Sequence, residues 1–211
     1  MTRTAIHRRM LLGTALLAVA GLPPGARAAD ASAVVAPIQQ LCDGLLAIMH
    51  AGRGVPFMQR FNQLAPALAN AFDLDAILRM SVGPGWATLP PDQKTTLQEA
   101  FRRYTIASYV SNFDEYSGQR FEVSPQVRGV ANGEQVVDTR LILRSGETHA
   151  LDYVMRDQPQ GWRAVDVLLD GTISRVAVQR SDFRDLLASG GAAALLKSLQ
   201  RKTADLSDGA L

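Results

Sequence analysis

The side chains that could do chemistry in residues 29–211 are few: His50, His149, Cys42 and a set of aspartates around the last predicted strands. An active site needs a nucleophile or metal, a base and an orienting group that converge. His50 sits near the end of a helical pattern and His149 in the first half of a strand pattern, and neither has Cys or His at zinc-ligand spacing. Cys42 lies among apolar residues of a helix and reads as a buried, inert thiol. There is no G-x-S-x-G elbow, Walker A loop or complete G-x-G-x-x-G; Gly52-Arg53-Gly54 and Gly83-Pro84-Gly85 read as turns. Asp152, Asp157, Asp166 and Asp170 lie on or beside adjacent strands, where paired carboxylates can do acid–base work. An exported hydrolase using them stays open as an alternative, but such residues more often line the wet face of a sheet or cap a helix. Asp170-Gly171-Thr172 reads as a strand end leading into an N-cap. The reading is therefore not an enzyme, with no catalytic residue, metal or cofactor.

The elements that would position these residues run helices, strands, helices, the order of an α+β domain with a mostly antiparallel sheet. Val34 to His50 has Ile38, Leu41, Leu45 and Ile48 at helical spacing. Pro56 opens a second helix with Phe57, Phe61, Leu64, Leu68 and Phe72 as its stripe, and a short helix follows from Asp75 to Ser81. Pro90-Pro91-Asp92 starts what reads as the longest helix, to about Tyr116. Leu97, Ala100, Phe101 and Tyr104 share one face, and Ile106, Tyr109, Val110 and Phe113 fall nearly opposite. A surface helix keeps one stripe, so this one bends or meets two apolar bodies: two parts of the core, or the core and a cavity. Gln119 to Ser124 is a short strand. Gln135 to Arg144, Thr148 to Arg156 and Trp162 to Leu169 alternate and form a meander. From Thr172 a helix is expected, with Ile173, Val176, Ala177, Phe183 and Leu187 on one face. Gly190-Gly191 separates a last helix, and the final residues should fray.

The N-terminus has the parts of an export signal: Arg3, Arg8 and Arg9, then the uncharged run Met10 to Leu22, then Ala26-Arg27-Ala28 as a small-x-small cleavage site. The run is shorter than the ~20 apolar residues a bilayer core requires, and no later run approaches that length. Arg8-Arg9 loosely matches a twin-arginine signal, but its flanking Ser/Thr and Phe are missing, so the general secretory route fits better. The expected organisation is a signal peptide, 1–28, and one domain, 29–211. Removing the signal takes away four Arg and no acid, which lowers the 22 basic residues to 18 against 20 acidic ones and changes the net charge from +2 to −2. Nucleic-acid binding loses its main argument. One Cys excludes an intrachain disulfide, so a hydrophobic core must hold the fold.

Large or adaptable apolar residues, among them Met49, Met155, Tyr104, Tyr109, Tyr153 and Trp162, would suit a core and equally a cavity for a flexible apolar ligand. Phe72-Asp73, Gly85-Trp86, Gln93, Tyr109, Phe113, Tyr116 and Gly118 come in order along the first half. Leu151-Asp152-Tyr153, Met155-Arg156, Gly161-Trp162, Asp166-Val167, Asp170-Gly171, Ile173-Ser174 and Arg180-Ser181-x-Phe183 follow in the second. This ordered series resembles the MlaC family of periplasmic lipid-binding proteins, also called the toluene-tolerance auxiliary family. Many members carry Asn-Tyr before the Arg-Ser pair. Val178-Gln179 stands there instead, which is more similar to the subfamily associated with hopanoid biosynthesis.

The resemblance implies a twisted antiparallel sheet of about four strands, covered on one face by helices, with an apolar cavity between. It implies a monomeric periplasmic carrier of a phospholipid or hopanoid, moving between an inner-membrane transporter and an outer-membrane acceptor. A ligand-free transporter adaptor is the remaining alternative. The lipid tails are expected between the sheet face bearing Val137, Leu141, Leu143, Leu151, Tyr153 and Met155 and helices carrying Phe101, Tyr104 and Tyr109. The export reading has a direct test: the exported protein should have the intact mass of residues 29–211, and a product that keeps residues 1–28 contradicts it.

Overall fold

A computed structural model of the chain describes residues 24–211; residues 1–23 of the expected export segment lie outside them. Helix α1 (Pro24–Ala51) runs through the expected cut after Ala28. Val34, Ile38, Leu41, Leu45 and Ile48, three or four residues apart, are all fully buried, so α1 is a strut inside the core. Contrary to expectation, Ala31–Ala51 has the length and mean hydropathy, 1.4, of a helix able to cross a membrane. Here its apolar side faces protein, and Gln39, Gln40 and Asp43 stay exposed.

Helix α2 (Phe57–Ala71) packs Phe61, Leu64 and Leu68 into the same core. A Cβ on Gly44 of α1 would lie 3.3 Å from the Ala67 Cβ, so the missing side chain lets the two helices approach. Arg60 on α2 is 5% exposed. Its Nε donates to the Val55 carbonyl at 3.1 Å and its Nη1 to the Val110 carbonyl at 3.3 Å. Val110 is in the last turn of helix α4 (Pro91–Asn112), whose carbonyls lack partners inside the helix, so Arg60 both satisfies that end and ties α2 to α4.

Helix α3 (Leu74–Val82) starts at Asp73, whose carboxylate accepts the Ala76 N–H at 2.9 Å. Just before it, Phe72 bridges to Ala164 and the Asp73 N–H donates to the Ala164 carbonyl at 3.0 Å. The α2–α3 junction is thereby fixed to the sheet. A 3-10 segment, Gly83–Thr88, leads on to α4. Helix α4 ends at Asn112, four residues short of the expected Tyr116, and at 22 residues it is shorter than α1 at 28.

The sheet has five antiparallel strands in the order β1-β2-β3-β4-β5: Arg120–Gly129, Gln135–Ile142, Thr148–Gln158, Gly161–Leu169 and Ile173–Ser174. The architecture is α+β, as expected, with one more strand than the four read from sequence. β1 is ten residues long against the six expected. Val123 pairs with Thr139 and Val127 with Val137, so Ser124, Pro125 and Gln126 bulge opposite Asp138 and break the alternation. β5 was expected to be helix: Ile173 is 51% exposed and pairs with Leu169 instead of joining a buried helical face. Helix α5 (Arg175–Leu206) follows, with the Ser174 hydroxyl accepting the Ala177 N–H at 2.9 Å. It breaks at Gly190 and Gly191, where Gly191 takes φ 62°, a conformation that favours glycine. The C-terminus is not frayed: the Leu211 N–H donates to the Ser207 hydroxyl at 3.2 Å and its side chain is half-buried on the core.

Cys42 is fully buried, and burial pushes its thiol up to about 12. At pH 8 a thiol reagent should leave the native protein unmodified over minutes and label it at once in denaturant; rapid labelling of the native state would contradict this packing.

Candidate functional site

A half-open cavity of about 380 Å³ lies between α4 and the sheet, within the size range of small-molecule sites. One side of α4 supplies Phe101, Tyr104, Thr105, Ser108, Tyr109 and Asn112, three or four residues apart. The other side, including Ile106, Ala107 and Val110, is buried. The two stripes read from sequence do not divide in this way: Phe101 and Tyr104 of one and Tyr109 and Phe113 of the other all line the cavity. The opposite wall is a block of four: Leu151 and Tyr153 of β3, paired with Leu169 and Val167 of β4. Leu74 and Ile77 of α3, held by the Asp73 cap, close one flank. Arg175, Val176 and Gln179 at the start of α5 close another.

Aromatic rings fix the wall. Phe72 lies 5.8 Å from Tyr109 and 5.9 Å from Tyr153, and Tyr109 stacks on Phe113 at 6.0 Å, separations at which ring pairs attract. Burial pushes the phenols of both Tyr109 and Tyr153 well above their usual range, while the Arg175 charge pulls Tyr109 part of the way back. Both are neutral donors at any physiological pH.

Asp166 also reaches the lining, and its oxygens are engaged. Oδ1 accepts the Val167 and Val176 N–H groups at 2.8 and 3.1 Å, and Oδ2 accepts the Ser174 hydroxyl. The carboxylate therefore locks β5 and the first turn of α5 to β4, where a negative charge also suits the helix dipole. Asp152 points away from its cavity-lining neighbours Leu151 and Tyr153. Burial, then the Asp138 charge, raises its carboxyl above the usual range, against the pull of Arg128. Asp157 and Asp170 are exposed. The four strand carboxylates do not converge. Among the described residues no three of His, Cys, Asp and Glu cluster as metal ligands; His50 lies against the Tyr116 ring and His149 beside Glu147.

Of the nine residues expected around lipid tails, the structure brings together five in this lining: Phe101, Tyr104, Tyr109, Leu151 and Tyr153. Val137 and Met155 are fully buried in the core farther along the sheet. Leu141 pairs with Phe121 and His149 toward the other end of β2, and Leu143 lies in the turn after it. None of these four lines the cavity. Alternation along a strand names a face but not how far along it a cavity extends. Sequence reasoning missed Leu74, Ile77, Val167, Leu169, Arg175 and Val176 as wall residues. The signal for the α4 contribution was present in the Thr105, Ser108, Asn112 spacing beside the aromatic stripe. Gln179, at the position where the sequence departs from the Asn-Tyr pattern, is also in the wall and accepts a hydrogen bond from Ser81 at 3.1 Å.

A helix-backed antiparallel sheet enclosing an apolar, aromatic-walled cavity defines an α+β ligand-binding domain. The chain belongs to the MlaC family, whose model, described as MlaC protein, matches residues 39–201. Its fold is similar to that of a phospholipid-binding protein from Ralstonia solanacearum, solved in complex with a phospholipid. The TM-score is 0.70 at 22% identity, covering 82% of this chain and 98% of that one. No curated protein matches the chain.

Asp166→Ala should cost about 1–2 kcal/mol of stability, as loss of a helix cap does, read as a lower urea midpoint. An unchanged midpoint would show that the carboxylate does not hold α5 in place.

Proposed function

We propose that this chain is an exported carrier that holds the tails of a membrane lipid in the α4–sheet cavity. The observation that carries the reading is a cavity walled by Phe101, Tyr104, Tyr109, Leu151, Tyr153, Val167 and Leu169 in a member of the MlaC family. The phospholipid held by the Ralstonia protein of like fold supports it. A two-tailed lipid exposes about thirty methylenes, so its bare passage through water costs more than ~20 kcal/mol at ~0.8 kcal/mol each. A wall as apolar as the bilayer removes that barrier, and no bond needs to be made or broken.

In this reading residues 1–28 are cut off on export and residues 29–211 work as a monomer in the periplasm. The carrier takes lipid from, or gives it to, an inner-membrane transporter and an outer-membrane acceptor. The cargo is a phospholipid or a hopanoid. Gln179 in the wall, where many relatives carry an aromatic residue, is the reason to keep the second. Phe101, Tyr104, Tyr109, Leu151 and Tyr153 are the proposed tail contacts.

Lipid extracted from protein purified out of the periplasm, together with uptake by stripped protein from vesicles, tests the proposal. Ser108→Trp should fill the cavity and reduce uptake at least about tenfold, while the circular dichroism spectrum stays that of the wild type. Wild-type protein without co-purifying lipid or vesicle uptake would sink the carrier reading. A turnover abolished by Asp166→Asn and Asp170→Asn would support the hydrolase instead.

A further inference from the structure

We propose that residues 173–189, which form β5 and the first half of α5, are a strap that swings away from the cavity to admit a lipid and closes again over it. The inference rests on the carrier reading and deepens it with the way the site is entered. The cavity as it stands is small for its cargo. A methylene needs roughly the room of a water molecule, so the thirty of a two-tailed lipid need on the order of 900 Å³. The cavity offers about 380 Å³, so one wall has to yield. Three walls are held from behind. Helix α4 has Ile106, Ala107 and Val110 buried on its far side. Strands β3 and β4 lie inside the sheet, between β2 and β5. Helix α3 is tied by the Asp73 cap and the Asp73–Ala164 bond. The remaining wall, Arg175, Val176 and Gln179, is held more lightly. Among residues 175–189 only Phe183 is buried, edge-on to the Phe101 ring, with Leu186 and Leu187 half-buried. Among residues 192–206, Leu195, Ser198, Leu199 and Thr203 are buried. Few buried contacts mark a segment that opens locally while its surroundings stay folded.

Both ends of the strap have joints. Gly191 takes φ 62° and ψ −153°, a backbone shape open essentially to glycine alone. A Cβ on Gly190 would lie 2.9 Å from the Ala194 Cβ. The Ser189 hydroxyl donates to the Leu186 carbonyl at 3.0 Å and so satisfies one of the carbonyls orphaned where the first half stops. That half therefore ends as a helix in its own right. At the other end Asp170 and Gly171 take φ 50° and 72°, and β5 is only two residues long. Polar contacts close the strap: Asp166 accepts from Ser174 and from the Val176 N–H, and Ser81 donates to Gln179 at 3.1 Å. Water can replace each of these when the strap lifts, while the second half of α5 stays docked on the core.

Two measurements test the strap. In hydrogen exchange read by mass spectrometry, the amides of residues 176–189 in lipid-stripped wild-type protein should exchange together, at least about tenfold faster than those of 193–206. Exchange at equal rates overturns the proposal. In the second, Ser81→Cys with Gln179→Cys is joined by a short, cleavable thiol cross-linker that pins the strap to α3; Cys42 is fully buried and does not compete. Pinned protein should take up lipid from vesicles of phosphatidylglycerol and phosphatidylethanolamine at least about tenfold more slowly than the same variant without the linker. Cleaving the linker should restore the rate, which a misfolded variant would not do. Equal uptake by pinned and unpinned protein overturns the strap and leaves lipid carriage standing; wild-type protein that takes up no lipid from these vesicles overturns both.

Discussion

Helix α4 carries apolar side chains on two opposite sides, and everything around it answers the need to keep water from both. One side is closed by direct packing, with Ile106, Ala107 and Val110 buried. The other is faced but not filled. The sheet, α3 and the start of α5 face Tyr104 and Tyr109 across a cavity, with the Phe72 ring touching Tyr109 and Tyr153 at its edge. Holding walls apart is harder than letting them collapse, because an apolar void forfeits the dispersion contacts that a packed core gains. The structure resists collapse with bonds at the edges of the void. Asp73 fixes α3, the Asp73–Ala164 bond fixes the α2–α3 junction, and Asp166 fixes α5.

That division of labour gives the carboxylates near the cavity a structural role. Asp73 and Asp166 sit at helix starts, where orphan N–H groups and the helix dipole favour a negative charge. Their role is to set the position of a wall. Arg60 does the equivalent at the far end of α4, a guanidinium on two backbone carbonyls. Polar residues make the frame, and aromatic and aliphatic residues make the interior surface.

Much of this was legible in the residues themselves. The helical spacing of α1 and α2, the meander from β2 to β4 and the break at Gly190-Gly191 follow from local patterns. So does the two-sidedness of α4. The full length of β1 was hidden by Pro125 and its bulge, which interrupt the alternation that marks a strand. β5 was hidden because Ile173-Ser174 is too short to show a period. The wall was read only in part: periodicity placed Val137, Leu141, Leu151, Tyr153 and Met155 on one face, but which of them meet core and which meet void depends on where α1 and α4 cross the sheet. Arg175 had no distinguishing local signal and Gln179 only its departure from the Asn-Tyr pattern, since it is the docking of α5 onto β4 that brings them to the cavity.

The two ends of the sheet bear on a different matter. β1, one edge, is broken by a bulge that contains Pro125, and β5, the other, is two residues long. Long flat edges offer rows of unpaired N–H and C=O groups to any passing strand, and bulges, prolines and short strands are the means of withholding them. A domain with one apolar cavity half-open has little margin for a second adhesive surface. With both end strands blunted, those strands offer neighbouring copies less template for strand addition than two long flat edges would.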